Sequence, residues 1–334
     1  MVKKGIYIIL TILIYFIYSF SQEIKKPFVL QHIFHKHKID FTNALVLQQI
    51  DNYTAIYNTT HILGRFSLTD RDFIFVNLSK TFGNGVNSKL EKNGFSISTT
   101  GDDLEDYLND INETGRKYLL ELFYQRDIEN LTLTVGLIDS TAFIDANEYA
   151  NDEHTQFLNS AFVNNPLALL PSYNLGIALT WNFNDSLGTT IVYMDTNPDR
   201  GNVGILEFEI KKENFNLRPY YFYLFNYNEY KGFGLSADYK MSDKYGLFSR
   251  IGNSTGDYNY FLSGGFQIQN ILIHDKFGLA YGFIKARENL KNIYIFESYY
   301  LINIFKNLSI TFDIQHMKEN KSKFIYGIRT YFYF

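Results

Sequence analysis

Leu131–Ile138 reads LTLTVGLI, and Asn174–Trp181 reads NLGIALTW. In the first stretch Leu131, Leu133, Val135 and Leu137 alternate with Thr132, Thr134, Gly136 and Ile138. In the second, Leu175, Ile177, Leu179 and Trp181 alternate with Asn174, Gly176, Ala178 and Thr180, and Phe233, Leu235, Ala237 and Tyr239 repeat the pattern further on. A period of two places the two sets on opposite faces of a β-strand, one face apolar and the other small or polar. That apolar face either looks into a sandwich core with the charges in water, or looks out into lipid around a polar lumen.

Three features favour lipid. Aromatic residues cluster at strand ends, as in Tyr220–Tyr223, Tyr299 with Tyr300, and Tyr331–Phe334, where interfacial girdles lie. Charged residues such as Glu121, Asp238, Arg250, Asp313 and Arg329 fall mid-strand on the polar face. The chain ends in a strand whose last residue is Phe334, with Phe332, Ile328 and Tyr326 on the same face. This aromatic ending resembles the signal that outer-membrane assembly machinery recognises.

Working outward, strands start near residues 174, 187, 203, 217, 231, 245, 258, 275, 292, 308 and 324. Upstream lie Lys117–Arg126, Leu131–Ile138, Asp72–Phe82, His61–Leu68 and a poorer candidate near Ile39–Asp51, which brings the count to sixteen. Fourteen is the competing count, with the first two candidates discarded. Taken alternately, the connections 69–71, 127–130, 183–186, 241–244 and 305–307 are short, and the opposite set holds the two longest, 83–116 and 139–173. Short periplasmic turns and longer extracellular loops are the asymmetry of an all-β, transmembrane antiparallel β-barrel. Sixteen strands enclose more space than the barrel's own side chains fill, which leaves an aqueous channel.

Composition narrows the alternatives. The 334-residue chain has no cysteine, 18% aromatic residues and a formal net charge of −4. A disulfide scaffold, a cysteine-ligated metal and a basic nucleic-acid surface are excluded. Lys3 and Lys4 precede an apolar stretch from Ile6 to Tyr18, and Ser19 and Ser21 are small residues suited to a signal peptidase. The expected organisation is a cleaved signal peptide at 1–21, an N-terminal periplasmic segment at 22–38 and an outer-membrane barrel at 39–334. Within the barrel, 139–173 is the segment expected to fold inward and narrow the pore, because much of it is uncharged.

That segment carries a resemblance. The stretch Leu137–Pro166, containing STAFIDANEYANDEHTQFLNSAFVNNP and followed by Pro171, Ser172 and Tyr173, resembles the carbohydrate-selective porin family of the OprB type, as do TFGNG at Thr81–Gly85, YLLELFYQR at Tyr118–Arg126, DTNPDRGN at Asp195–Asn202, ESYY at Glu297–Tyr300 and the terminal GIRTYFYF. The resemblance implies a sixteen-stranded porin in the bacterial outer membrane that passes glucose-like sugars by diffusion, with no cofactor. Its partners are then outer-membrane lipid, small sugars and the assembly machinery acting through Phe334, and it works as a homotrimer or a monomer. The region before His61 is shorter and more polar than the family's first strand and preceding helix.

A hydroxyl-rich solute shedding water in a constriction needs hydrogen-bonding groups that bind weakly at several places. Strand parity turns Arg65, Glu121, Gln125, Arg218, Asp238, Arg250, Glu297, Asp313 and Arg329 inward as pore-lining or sugar-binding candidates. The resemblance supports Glu121 and Glu297 as recurrent positions. The same charges also suit a second role, an ion-pair network that only keeps the wall wet. Metal and catalytic motifs are weak. His32, His35 and His37 lie in the polar N-terminal segment, and Asp195, Asn197 and Asp199 lack the glycine and glutamate of a calcium loop. His274 and His316 have no nucleophile motif beside them. A non-selective porin, a barrel enzyme and a soluble lectin-like sandwich are the rival readings, in that order.

Overall fold

The computed structural model describes residues 37–92, 94–95, 110–112, 114–197, 201–225, 230–288 and 290–334. The signal and nearly all of the N-terminal segment, with His32 and His35, lie outside them, as do Pro198–Arg200 of the DTNPDRGN motif.

The strands are β1 His37–Ile50, β2 Tyr53–Thr69, β3 Asp72–Phe82, β4 Leu119–Ile128, β5 Leu131–Ile138, β6 Asn174–Asn184, β7 Leu187–Asn197 and β8 Gly201–Lys212. They continue as β9 Phe215–Phe225, β10 Lys231–Lys240, β11 Tyr245–Ser254, β12 Tyr258–Gln269, β13 Asp275–Ala286, β14 Ile293–Phe305, β15 Leu308–Lys318 and β16 Ser322–Tyr333. Two short helices, α1 at Asn87–Lys92 and α2 at Ser160–Val163, sit in the two long connections. Each strand pairs with its sequence neighbours, and β1 pairs antiparallel with β16 from Thr42↔Tyr333 to Ile50↔Ile325, so the barrel closes. Closure removes sheet edges, which hydrocarbon cannot solvate.

Burial alternates along the strands in the sense opposite to that of a soluble protein. Ile62, Phe66, Leu175, Ile177, Trp181, Phe312, Ile314, Tyr326 and Ile328 are exposed, whereas Asp238, Arg250, Glu297, Asp313 and Arg329 are buried. Apolar side chains outside and charges inside are the pattern of a barrel whose solvent is lipid.

Three expectations change. The second strand begins at Tyr53 instead of His61, and the first at His37, so the long first hairpin turns at Asp51–Asn52, where Asp51 is left-handed (φ 50°). The polarity of this region hid strands whose outward amides satisfy one another, with Asn43 Nδ2 donating to Thr60 Oγ1 at 2.7 Å and Asn58 Nδ2 to Asn43 Oδ1 at 3.1 Å. The aromatic runs are also not wholly girdles. Pleating splits each of them, so Tyr220, Phe222 and Tyr299 are buried inside while Tyr221 is exposed outside. Finally, the interior is not uniformly polar. Ile50, Ile293, Ile295, Met317 and Ile325 form a cluster with Val86 and Leu90 around α1 at the long-connection end. The loops supply apolar partners there, and the inward positions beneath them are apolar in turn.

Candidate pore constriction

The connection 139–173 is clipped at its base. Asp139 caps a 3-10 turn at Ser140–Ala142 by accepting from Thr141 N at 2.9 Å, and it also accepts from Ser172 Oγ at 3.0 Å. Between these ends the loop lies against inward-facing strand side chains. Arg250, fully buried on β11, donates from Nη1 to Phe162 O at 2.6 Å and from Nη2 to Asp145 O at 2.9 Å and Asn151 Oδ1 at 3.0 Å. Its Nε lies 3.0 Å from Asp145 Oδ2, with both side chains buried. Asp145 is itself left-handed (φ 64°), and its amide donates to Glu207 Oε2 at 2.7 Å. Burial lifts its carboxyl above the usual carboxylate range even though Arg250 pulls the other way.

The same construction repeats around the wall. Arg218 on β9 bridges Asp238 Oδ2 (2.7 Å), Glu209 Oε1 (3.0 Å) and the loop carbonyl of Ala146 (3.1 Å). Glu297 on β14 accepts from Leu158 N at 2.5 Å and Asn159 N at 2.9 Å. Asn159, the cap of α2, donates to Gln315 Oε1 at 3.0 Å, and Gln315 Nε2 donates to Asp313 Oδ1 at 2.8 Å. Arg329 on β16 donates to Gln156 O at 2.8 Å and to Glu153 O. At the loop apex the His154 ring stacks on Tyr331, centroids 4.8 Å apart, and lies 6.2 Å from His61 of β2.

All nine candidates therefore fall on the inward parity, but in two groups. Arg218, Asp238, Arg250, Glu297, Asp313 and Arg329 are buried and bonded to the loop or to groups that hold it. Arg65 is exposed and Glu121 and Gln125 are half-buried, all on the β2–β4 wall. There the Arg65 guanidinium lies 3.9 Å over the Phe73 ring, and Phe75 and Phe123 stack at 4.9 Å. Asn77 joins this wall into a chain, donating to Glu121 Oε2 at 2.9 Å and bonding His61 Nδ1 through its Oδ1 at 3.0 Å. Glu207, Glu209 and the three phenylalanines were missed, although the alternation in LEFEI already turns Glu207 and Glu209 inward. Among the described residues no group of three metal-ligating side chains occurs.

The pattern of the carbohydrate-selective porins, OprB family, matches residues 87–263. This chain belongs to the OprB family. An uncharacterized protein of Aquifex aeolicus (strain VF5) is 36% identical over 321 residues, 94% of this chain and 99% of that one. The low-pH structure of Pseudomonas putida OprB superposes with a TM-score of 0.65 at 9% identity, covering 91% of this chain and 95% of that one. A mutant of the Rh. blastica porin gives a TM-score of 0.62 at 10% identity over 89% and 100% of the two chains. As an OprB-family porin the protein is an outer-membrane channel for carbohydrate diffusion. The sixteen-stranded closed barrel is the porin fold.

Proposed function

We propose that this OprB porin passes glucose-like sugars along the β2–β4 wall, past a loop that constricts the lumen. The observation that carries this reading is the division of the inward charges. The six on β9–β16 are committed to the loop or its supports, whereas Arg65, Glu121 and Gln125 stand on a half-open wall beside Phe75 and Phe123. A pyranose offers hydroxyls around its edge and C–H groups on its faces. Carboxylate, amide and guanidinium groups exchange hydrogen bonds with the first, and aromatic rings pack on the second. Because Arg65 and Glu121 bring opposite charges to one wall, a neutral, hydroxyl-rich solute is matched better than an ion of either sign. No covalent step is involved, so the function is that of a channel and not of an enzyme. The short-turn end of the barrel is the periplasmic one in this reading.

The test is uptake of glucose, a disaccharide and an uncharged non-sugar of matched size into liposomes carrying the porin, with single-channel current recorded alongside. Glucose is expected to outpace the non-sugar and to block the current reversibly. Glu121→Gln keeps the shape and removes a charge-assisted acceptor, worth about 1.5–3 kcal/mol, so sugar block is expected to weaken by roughly tenfold or more with the open-channel current nearly unchanged. Size-dependent uptake with no sugar preference would leave a general diffusion porin.

A further inference from the structure

The seven turns at the barrel end opposite the two long connections are not alike. Asp70, Glu129, Asp185 and Glu213 put carboxylates in the four turns that join β2 to β9 in pairs, with Asp127 at the end of β4, Arg71 beside Asp70, and Lys211 and Lys212 before Glu213. The three turns of the β10–β15 sector are apolar and basic instead. Leu272 and Ile273 are 76% and 75% exposed, Phe305 65% and Met241 58%, with Ile271 and Ile304 also exposed. Lys244, His274 and Lys306 stand among them, and Asp243 is paired to Lys240 at 2.8 Å.

These tips are held in place. Asn270 and His274 are both left-handed (φ 56°), Asn270 N donates to Asp275 O at 2.8 Å, and the Asp275 carboxylate accepts from Leu272 N at 3.1 and 3.2 Å and from Tyr300 Oη at 2.5 Å. Neighbouring turns are laced together. Gln269 N and Nε2 donate to Lys244 O (3.0 Å) and Asp243 O (2.8 Å), and Asn303 Nδ2 donates to His274 O at 2.8 Å. The turn thus presents Ile271–Ile273 as a fixed apolar ledge. The ledge also continues the lipid belt, since exposed Tyr239, Tyr245 and Leu247 sit directly above Met241 on the outward face of β10 and β11.

We propose that the β10–β15 sector of the short-turn rim is immersed in the adjoining leaflet, with Lys244 and Lys306 on anionic phospholipid headgroups, while the acidic sector stays in water. Apolar tips flanked by lysines match the acyl–headgroup boundary, and carboxylates are repelled by it. The barrel then sits inclined, deeper on one side than on the other. The inference rests on the outer-membrane reading but not on which side of the membrane the short turns face.

Trp181 is the chain's single tryptophan, so a Trp181→Phe background allows one reporter at a time. The full chain carrying Leu272→Trp, and separately Ile273→Trp, is inserted in phosphatidylcholine–phosphatidylglycerol vesicles with brominated acyl chains, and barrel formation is checked by the heat-dependent gel shift. The expected result is blue-shifted emission, quenching by the brominated chains and protection from aqueous iodide, with Glu129→Trp showing the reverse. Quenching of both ledge reporters by iodide overturns the proposal. So does protection from both quenchers, which marks a protein covering the ledge, and so does equal lipid quenching in the two sectors. If Ile314→Trp, on the exposed outward face in the middle of β15, also escapes bromine quenching in the Trp181→Phe background, the membrane reading fails and the ledge proposal falls with it.

Discussion

Arg250 shows what a single residue contributes to this porin. Its side chain is fully buried and spans Asp145, Asn151 and Phe162, so three separated points of the loop depend on one guanidinium. Removing one partner of a buried pair leaves the other uncompensated, at a cost of about 3–5 kcal/mol. Arg250→Met is therefore expected to undock the loop, seen as proteolysis within 139–173 and a larger, noisier single-channel current. Adding Asp145→Asn removes the orphaned charge and is expected to recover part of the loss. A pH response belongs to Asp152 at the loop apex. Burial alone would raise its carboxyl, but the nearby His154 charge, the Thr155 hydroxyl at 2.5 Å and the His154 amide at 2.8 Å bring it below the usual range. A depressed carboxylate stabilises the folded apex at neutral pH, and that contribution is lost as pH falls through the depressed value, below about pH 4. The expected outcome is current noise that rises on acidification, whereas Asp152→Asn, which lacks the carboxylate at every pH, is noisier already at neutral pH and shows little further rise. Strand parity revealed which way these residues face, because a pleat leaves two choices. It could not separate loop anchors such as Glu297 from wall residues such as Glu121, since the loop's path across the lumen is set by contacts between residues more than a hundred positions apart.

At the scale of the element, β4 and β5 owe their close approach to Gly136. Its φ of +146° is one that side chains rarely adopt, and a Cβ there would meet Leu122 O at 2.2 Å and the Phe123 Cα at 2.6 Å. Both obstacles are backbone, so neither can swing aside. Gly136→Ala is expected to spread this strand pair and displace Phe123 and the neighbouring Glu121, lowering the yield of heat-shifted barrel and weakening sugar block in the molecules that form. Elements were legible wherever the two faces differ, as in LTLTVGLI. They were blurred in β1 and β2, where Asn43, Asn58 and Thr60 put polar groups on the outward face, and in β14, where Ile293, Ile295 and Leu301 face in while Tyr294 and Ile304 are exposed outside. A strand apolar on both faces carries no period of two, and only its spacing from its neighbours places it.

For the whole molecule, the decisive contact joins the first strand to the last. Phe41 N donates to Phe334 O and Phe334 N to Phe41 O, both at 2.8 Å, immediately beyond the paired rows that begin at Thr42↔Tyr333. Phe332 lies edge-on to Phe41, with centroids 6.4 Å apart. The residues at this seam close the barrel. Their aromatic pattern also resembles an assembly signal, and that proposed role can be separated from closure. Deleting Phe332–Phe334 exposes donors and acceptors of β1 to hydrocarbon, each uncompensated group costing several kcal/mol, and also removes the ending. Phe334→Ala leaves the backbone bonds in place. If closure limits the fold, the deletion abolishes the heat-shifted barrel on refolding into detergent or lipid, where no assembly machinery is present, and Phe334→Ala does not. If Phe334 acts chiefly as a recognition signal, Phe334→Ala refolds normally in vitro yet lowers the amount of porin reaching the outer membrane of cells. A Phe334→Ala protein that assembles at full yield in cells would remove the recognition role and leave Phe334 as part of the seam alone.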